Sequence, residues 1–289
     1  MENYKYKNLN LCAFADEADE NFDEQIIALK ENDINLLEIR GVNGKNISEL
    51  TIQEVKEAKN KLDDTGIKVW AIGSPIGKVD INAPFQPHLD LFSNLLDTAN
   101  LLNASHFRLF SFYGVINTQD VDKENLVFER LNTFVEKSSG RGVQLCHENE
   151  KDIYGDIASR CLKIHQQIPA IKAVFDPANF INCSQDVPEA WEILKPYVEY
   201  LHIKDALKTG RVVPAGHGIG NIQTILDDFS KINGTTKYGT LTLEPHLFEF
   251  VGLKELSGNR EEANVGSLAF STSREAFDAA ANALKKLLI

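Results

Sequence analysis

The sequence predicts an α/β fold, a (β/α)8 TIM barrel that residues 1–289 form as a single domain. Strand-like and helix-like segments alternate eight times, which is typical of parallel strands joined by crossover helices. The chain has 289 residues, 43% of them apolar, enough for one barrel of about 250 residues. No glycine-rich dinucleotide fingerprint follows the first strand, and this favours a closed barrel over an open sheet.

The elements are predicted from periodicity and from their end signals. Short apolar segments indicate strands, and longer amphipathic segments that end near glycine indicate helices. The first four strands are predicted at residues 9–14, 35–40, 67–72 and 105–110, and their helices at 21–32, 48–64, 87–102 and 123–139. The last four strands are predicted at 143–148, 173–176, 198–202 and 241–244, and the final helix at 271–288.

Composition narrows the classes of function. The net charge is −12 and the chain has no run rich in Lys and Arg, which argues against binding to nucleic acid phosphates. The four cysteines form no CxxC pair and are expected to be reduced, as in cytosolic proteins. No apolar segment approaches the length of about 18 residues that a bilayer requires. We therefore expect a cytoplasmic, soluble protein that binds neither nucleic acid nor membrane.

The last four predicted strands each end in a residue that can bind a metal. These residues are Glu148, Asp176, His202 and Glu244. The carboxyl ends of barrel strands meet at one mouth, where active sites are built. Three carboxylates and one imidazole suit one divalent metal ion such as Mn, Co, Mg or Zn, so the pattern predicts a metal or acid–base centre there.

Residues next to these four are candidates for substrate contact. Pro177 breaks the strand after Asp176 and is expected to project Asp176 and Asn179 into the mouth together. Strand alternation places Lys204 on the face of His202, with Asp205 entering the loop. Alternatively, Lys204 and Asp205 form an ion pair that orients His202.

The loop after the seventh strand offers a possible anion site. Residues 216–221 read Gly-His-Gly-Ile-Gly-Asn and lead into a helix, where glycine permits close backbone approach and a helix N-terminus favours an anion. A flexible turn is the alternative. His217 lies in this loop, and Arg108 and Arg211 are the cations best placed to meet a phosphate or carboxylate.

Three further residues receive structural interpretations. Asp16 and Glu17, just past the first strand, could reach the mouth but are favoured as charges at a helix N-terminus. His147 is expected to face away from Glu148, with a role in the core or in support of the site. The long irregular segment 246–268 is predicted to be a lid or a contact with a second subunit, as in a homodimer.

With these residues in hand, the chain resembles the sugar phosphate isomerase/epimerase family. That family belongs to the xylose-isomerase-like TIM barrels, together with the ketose 3-epimerases and endonuclease IV. The resemblance spans nearly the whole chain and rests on Phe14-Ala-Asp-Glu17, Leu37-Glu-Ile-Arg-Gly-Val-Asn-Gly-Lys-Asn46, Ala71-Ile-Gly-Ser-Pro-Ile-Gly-Lys78, His147-Glu-Asn-Glu150, Phe175-Asp-Pro-Ala-Asn179, Leu201-His-Ile-Lys-Asp205, Gly216-His-Gly-Ile-Gly220 and Leu243-Glu-Pro-His246.

The resemblance implies roles for particular residues. In the similar epimerases, a Glu, an Asp, a His and a Glu bind one divalent metal ion, and the glutamates exchange protons with the substrate carbon. Those roles fall on the four residues above, with Glu148 and Glu244 as the catalytic pair. Glu150 is added to the expected substrate contacts. A histidine often stands three residues after the metal-binding Asp in these epimerases, whereas this chain has Asn179 there.

Several activities are compatible with such a site. The first hypothesis is an isomerase or epimerase of a small sugar, ketose or sugar phosphate that works through an enediolate. A dehydratase of a polyol or a dehydroshikimate-type acid could use the same residues, and the mass of the product separates the two. An endonuclease IV-like nuclease would need a basic surface, and a sugar-binding protein would not need two glutamates at a metal. The sequence favours the first hypothesis.

Overall fold

The computed structural model describes residues 5–116, 121–233, 239–249 and 270–289 and contains a closed barrel of eight parallel strands. The strands of this region are β1 (Leu9–Ala13), β2 (Leu36–Ile39), β3 (Gly41–Val42), β4 (Lys45–Asn46), β5 (Lys68–Ile72), β6 (His106–Leu109), β7 (Gln144–Glu148), β8 (Lys172–Phe175), β9 (Val198–Ile203), β10 (Asp205–Ala206), β11 (Val212–Val213) and β12 (Gly239–Leu243). Around the barrel the order is β1-β12-β9-β8-β7-β6-β5-β2. The predicted fold class is confirmed.

Helices surround the strands as the alternation predicts. Those of the described residues are α1 (Phe22–Glu31), α2 (Ile52–Asp63), α3 (Phe85–Leu102), α4 (Val121–Ser138), α5 (Ala158–Gln167), α6 (Pro177–Asn182), α7 (Val187–Leu194), α8 (Ile222–Asn233) and α9 (Ser273–Leu288). Two 3-10 helices, Ala15–Glu17 and Ile47–Glu49, lie in the first two loops at the mouth. Among these helices, none is long and apolar enough to cross a bilayer.

Two short hairpins add to the predicted pattern. β3 pairs with β4 directly after β2, and β10 pairs with β11 directly after β9. Each is an antiparallel pair of two-residue strands at the mouth, so neither enters the barrel. Segments this short carry no recognisable alternation of apolar residues, and the sequence therefore did not predict them.

Strand alternation separates two layers inside the barrel. Cys146, Val174 and Tyr200 form a buried cluster distinct from the main core between strands and helices. Successive side chains on a strand face opposite ways, so the residue two positions later on the same strand points in the same direction. Those later positions hold Glu148, Asp176 and His202. An apolar layer thus supports a polar layer at the mouth.

Candidate metal centre

The four predicted metal ligands lie together at the mouth of the barrel. Glu148, Asp176, His202 and Glu244 each offer a ligand atom, and these atoms all lie within 4.8 Å of one another. Nδ1 of His202 is 3.2 Å from Oε1 of Glu148 and 3.4 Å from Oε2 of Glu244. Each of the four residues is at most 2% exposed. The two glutamates therefore approach the same nitrogen of the imidazole, in a site shielded from water.

Asp176 is oriented by the helix that follows it. It is the N-cap of α6, Pro177 occupies the first turn, and Oδ1 accepts a hydrogen bond from the backbone N–H of Asn179 at 3.1 Å. The Asn149 amide donates to the backbone carbonyl of Asp176 and accepts from its N–H, both at 2.9 Å. The cap uses one carboxylate oxygen and leaves Oδ2 for the centre.

Three buried cations compensate the carboxylates. Arg108 lies 3.1 Å from Glu148, and Arg40 lies 3.2 Å from Glu244. Lys204 contacts two of the ligands, with Nζ 2.8 Å from Oδ2 of Asp176 and 2.9 Å from Oε2 of Glu244. Paired charges can be buried where single ones cannot.

These contacts set the protonation of the acids. Burial alone would raise the pKa of Glu148, but His202 and Arg108 outweigh it and hold that pKa below its ordinary value. Burial is likewise outweighed at Glu244, where Lys204 and the nearby histidines hold the pKa well below the ordinary value. Burial dominates at Asp176 and raises its pKa to about 7. Both glutamates are thus ionised at neutral pH and able to accept a proton.

The donor set fits a divalent cation. Within the described part of the chain, Oδ2 of Asp176 and Nδ1 of His202 are buried and have no hydrogen-bond partner of acceptable geometry. Buried polar atoms rarely lack such a partner. Three carboxylates and one imidazole are ligands that Mn, Mg, Co and Zn accept, so these four residues could hold such an ion.

Two of the predicted substrate contacts adjoin the centre. Asn179 donates from Nδ2 to Oε1 of Glu148 at 3.2 Å, in agreement with its predicted projection into the mouth. Lys204 shares the face of His202, as alternation predicted. The alternative pairing of Lys204 with Asp205 is wrong, because Lys204 pairs with Asp176 and Glu244 instead.

Asp205 faces the glycine loop, which corrects its assignment to substrate contact. Its carboxylate accepts backbone N–H groups from Ala206, Gly216, Gly218 and Gly220 at 2.8–3.0 Å. A Cβ atom would lie 2.3 Å from Oδ1 of Asp205 at Gly218 and 2.6 Å at Gly220, so both positions require glycine. The proposed anion site of this loop is thus filled by the protein's own carboxylate.

Of the other predicted substrate contacts, Arg108 touches the centre, whereas Arg211, His217 and Glu150 have no described contact with the four candidate ligands. Arg211 and His217 are exposed, and no contact in the described residues joins their side chains to the centre. Glu150 is partly buried and forms an ion pair with Lys78 at 3.0 Å. Arg108, predicted to meet a phosphate or carboxylate, meets the carboxylate of Glu148.

Asp16 and Glu17 lie in the first turn of the 3-10 helix Ala15–Glu17, as favoured, and they also reach the mouth. Arg40 donates to Asp16 at 2.8 Å and to Glu17 at 2.9 Å. Burial raises the pKa of Glu17 to about 8. Glu17, Glu244 and His246 form a second group with ligand atoms close together, and the Arg40 guanidinium contacts both of its carboxyl groups.

The structure adds one residue that sequence reasoning missed. Glu38 is fully buried on β2, and its Oε2 lies 3.2 Å from Nε2 of His202. The signal available was a lone Glu in a strand otherwise composed of apolar residues. His147, expected to face away from the centre, contacts Oγ of Ser111 at 2.9 Å, which agrees with a core role.

The segment predicted as a lid or subunit contact lies largely outside the described residues. Residues 246–249 are described, and residues 250–268 are not. His246 donates its backbone N–H to Glu17 at 2.6 Å, so the segment leaves the barrel beside the centre. The roles of this segment as lid and as homodimer contact stay predictions.

Comparison with known proteins places the chain in a family. The family model described as "Xylose isomerase-like TIM barrel" matches residues 26–262. The chain belongs to this family, as the motifs predicted. No curated protein sequence matches the chain.

Solved structures share the barrel over nearly its whole length. The probable 3-DHS dehydratase AsbF from Bacillus anthracis has a TM-score of 0.70 at 15% identity, and the IOLI protein with a bound zinc atom has 0.71 at 14%. D-Psicose 3-epimerase with D-tagatose from Clostridium cellulolyticum H10 has 0.69 at 16%. Each comparison covers 96% of this chain and 98% of the other. Similarity at this level of identity shows the fold.

Proposed function

We propose that the protein is a divalent-metal-dependent isomerase or epimerase of a small sugar, ketose or sugar phosphate that acts through an enediolate. The observation that carries this proposal is that Glu148 and Glu244, which come from two different strands, approach the same nitrogen of His202, at 3.2 and 3.4 Å from Nδ1. The fold, which it shares with a sugar epimerase, supports an enzyme. Fold alone does not specify chemistry, so the proposal rests on the site.

The residues have distinct tasks in this proposal. A cation held by Glu148, Asp176, His202 and Glu244 would supply Lewis-acid stabilisation of the enediolate oxygens. One ionised glutamate removes the proton from the substrate carbon and becomes the neutral acid. The other glutamate returns a proton to the opposite face or to the neighbouring carbon after it has taken one up, and the Lys204 ammonium is the nearest donor to Glu244. The first glutamate then releases its proton, which restores the starting charges. Two bases on separate strands, β7 and the end of β12, are what such a two-sided transfer requires.

The surrounding residues hold the two glutamates in position. Asn179 and Arg108 each contact one oxygen of Glu148, at 3.2 and 3.1 Å, and fix its plane. Nζ of Lys204 lies 2.9 Å from Oε2 of Glu244. Among the described residues it is the nearest hydrogen-bond donor to that carboxylate. Burial excludes water from both acids, which protects a carbanionic intermediate from unwanted protonation.

The test is exchange of substrate hydrogen with solvent. Ketoses and sugar phosphates are incubated with the protein and a divalent metal in D2O, and deuterium uptake at one carbon is measured by NMR and mass spectrometry. Glu148→Gln and Glu244→Gln are expected to lower turnover by about 10²–10⁴-fold because the amide cannot accept the proton. Either variant retaining near-normal rates would contradict the assignment.

A matched control separates catalysis from folding. Glu199→Gln removes a carboxylate from the same strand as His202, three residues earlier, beside His106. We expect this variant to retain turnover, and all three variants to keep the circular dichroism spectrum of the natural protein. Loss of 18 mass units from the substrate would assign a dehydratase instead.

A further inference from the structure

The two nitrogens of His202 have different surroundings. Nε2 lies 3.2 Å from Oε2 of Glu38 with hydrogen-bond geometry. Nδ1 faces Glu148 and Glu244, and among the described residues it has no hydrogen-bond partner. A histidine ligand coordinates through one nitrogen and donates its other N–H to an acceptor. Nδ1 would thus be the nitrogen that binds a metal ion, and Nε2 carries the hydrogen that it donates in a hydrogen bond to Glu38.

Glu38 is fixed in this orientation. It is fully buried on β2, and its other oxygen, Oε1, accepts a hydrogen bond from the Tyr200 hydroxyl at 2.9 Å. Tyr200 belongs to β9, the strand that carries His202. Both oxygens of the Glu38 carboxylate therefore form hydrogen bonds with side chains of β9, those of Tyr200 and His202. The carboxylate is also closed off from solvent.

We propose that Glu38 is a positioning residue that prepares His202 to bind the metal. By accepting Nε2–H, Glu38 selects the tautomer whose Nδ1 lone pair points at the other three ligands. The opposite tautomer would place a proton on Nδ1, in the direction of the cation, and would leave the ring unable to coordinate. This inference rests on the proposed metal centre.

A purely structural role predicts a different outcome. If Glu38 only compensated the charge of His202, any buried carboxylate at position 38 would serve. If it selects the tautomer, the contact with Nε2 is what matters. Glu38→Asp keeps the negative charge but shortens the side chain, so its carboxylate no longer reaches Nε2 of His202. Glu38→Gln keeps the length of the side chain but loses the charge.

The experiment measures zinc binding by calorimetry with ZnCl2 and the full chain. We expect Glu38→Asp to bind zinc about 10–100-fold more weakly than the natural protein, the usual cost of losing such a support. Glu38→Gln, whose amide oxygen can still accept a hydrogen bond from Nε2–H, should be weakened less. Glu199→Gln, which alters a carboxylate at the other end of β9, is expected to bind as the natural protein does. Thermal unfolding of each variant checks that it is folded.

NMR of the zinc-loaded protein with ¹⁵N-labelled histidine provides a second measurement, which does not depend on activity. The expected spectrum shows zinc on Nδ1 and the proton on Nε2 of His202. Zinc affinity that Glu38→Asp retains, or zinc on Nε2, would overturn the role of Glu38 while leaving the metal centre intact. Absence of zinc binding to the natural protein would overturn both.

Discussion

Lys204 contributes positive charge where the proposed metal would also contribute it. Its ammonium contacts Asp176 and Glu244 at 2.8 and 2.9 Å, and both carboxylates are also ligand candidates. Burial alone would lower the pKa of Lys204, but the surrounding carboxylates hold it well above its ordinary value. Lys204 and the cation would therefore both supply positive charge to the carboxylates of Asp176 and Glu244. When one of them is present, the other contributes less to stability.

This arrangement predicts the behaviour of Lys204→Met. The free energy of unfolding should fall by about 3–5 kcal/mol without metal, because two buried carboxylates lose their partner. Added Mn²⁺ should raise the melting temperature of this variant more than that of the natural protein, since it replaces the missing charge. Lys61→Met, at an exposed ion pair with Asp23, serves as control. Equal gains from Mn²⁺ in Lys204→Met and the natural protein would contradict the prediction.

Residue identity and strand position were enough to predict which four candidate ligands come together. Glu148, Asp176, His202 and Glu244 come together because parallel strands end at the same rim. The partners of these ligands could not be predicted in the same way. Glu38 reaches His202 across the barrel from a strand 164 positions earlier, a pairing that depends on closure and on side-chain length.

At the scale of elements, helix α5 contains a histidine that couples stability to pH. Nδ1 of His165 contacts the carbonyl oxygen of Ile171 at 3.1 Å, so Nδ1 carries the proton in the neutral ring. In the described part of the chain Nε2 has no partner, and protonation there would bury an unpaired charge. Burial accordingly lowers the pKa of His165 from 6.5 to about 4.

The sign of the pH effect follows. The folded pKa lies below the unfolded value, so the stability from neutral His165 is present above pH 6.5 and is lost as the pH falls towards 4. The full difference corresponds to about 3 kcal/mol. His165→Phe, which keeps a ring against Tyr197, should lose less stability than the natural protein between pH 7 and 4.5 in urea unfolding. Equal losses would show that His165 does not titrate in this range.

Sequence patterns predicted the long helices well but did not predict what the loops bind. Long periodic segments such as α3 and α4 were predicted to within a few residues, because many apolar positions define one face. The glycine loop was identified, but its ligand was not. Asp205 occupies that loop because four backbone N–H groups point at its carboxylate. The direction of these N–H groups depends on the backbone conformation of the loop, which the residue types alone do not specify.

At the scale of the whole molecule, metal binding should stabilise both sides of the barrel. The ligands come from four adjacent barrel strands, whereas Trp70 lies on β5 and Trp191 on α7. A divalent cation at about 100 times its dissociation constant should raise the free energy of unfolding by about 2.7 kcal/mol. Single-tryptophan variants, Trp70→Phe and Trp191→Phe, should report the same increase in urea unfolding. A rise seen by only one tryptophan would indicate that the barrel does not unfold as a unit.

Barrel closure also has a consequence for biosynthesis. β1 pairs with β12, and Leu9 aligns with Gly239, 230 positions later in the chain. At roughly 5–20 residues per second, β1 is translated about 10–45 s before its partner exists. Throughout that interval one edge of β1 is open to wrong pairing, and Glu244 has not yet been added. The nascent chain therefore gains its last candidate metal ligand at the moment when the open edge of β1 can pair with β12.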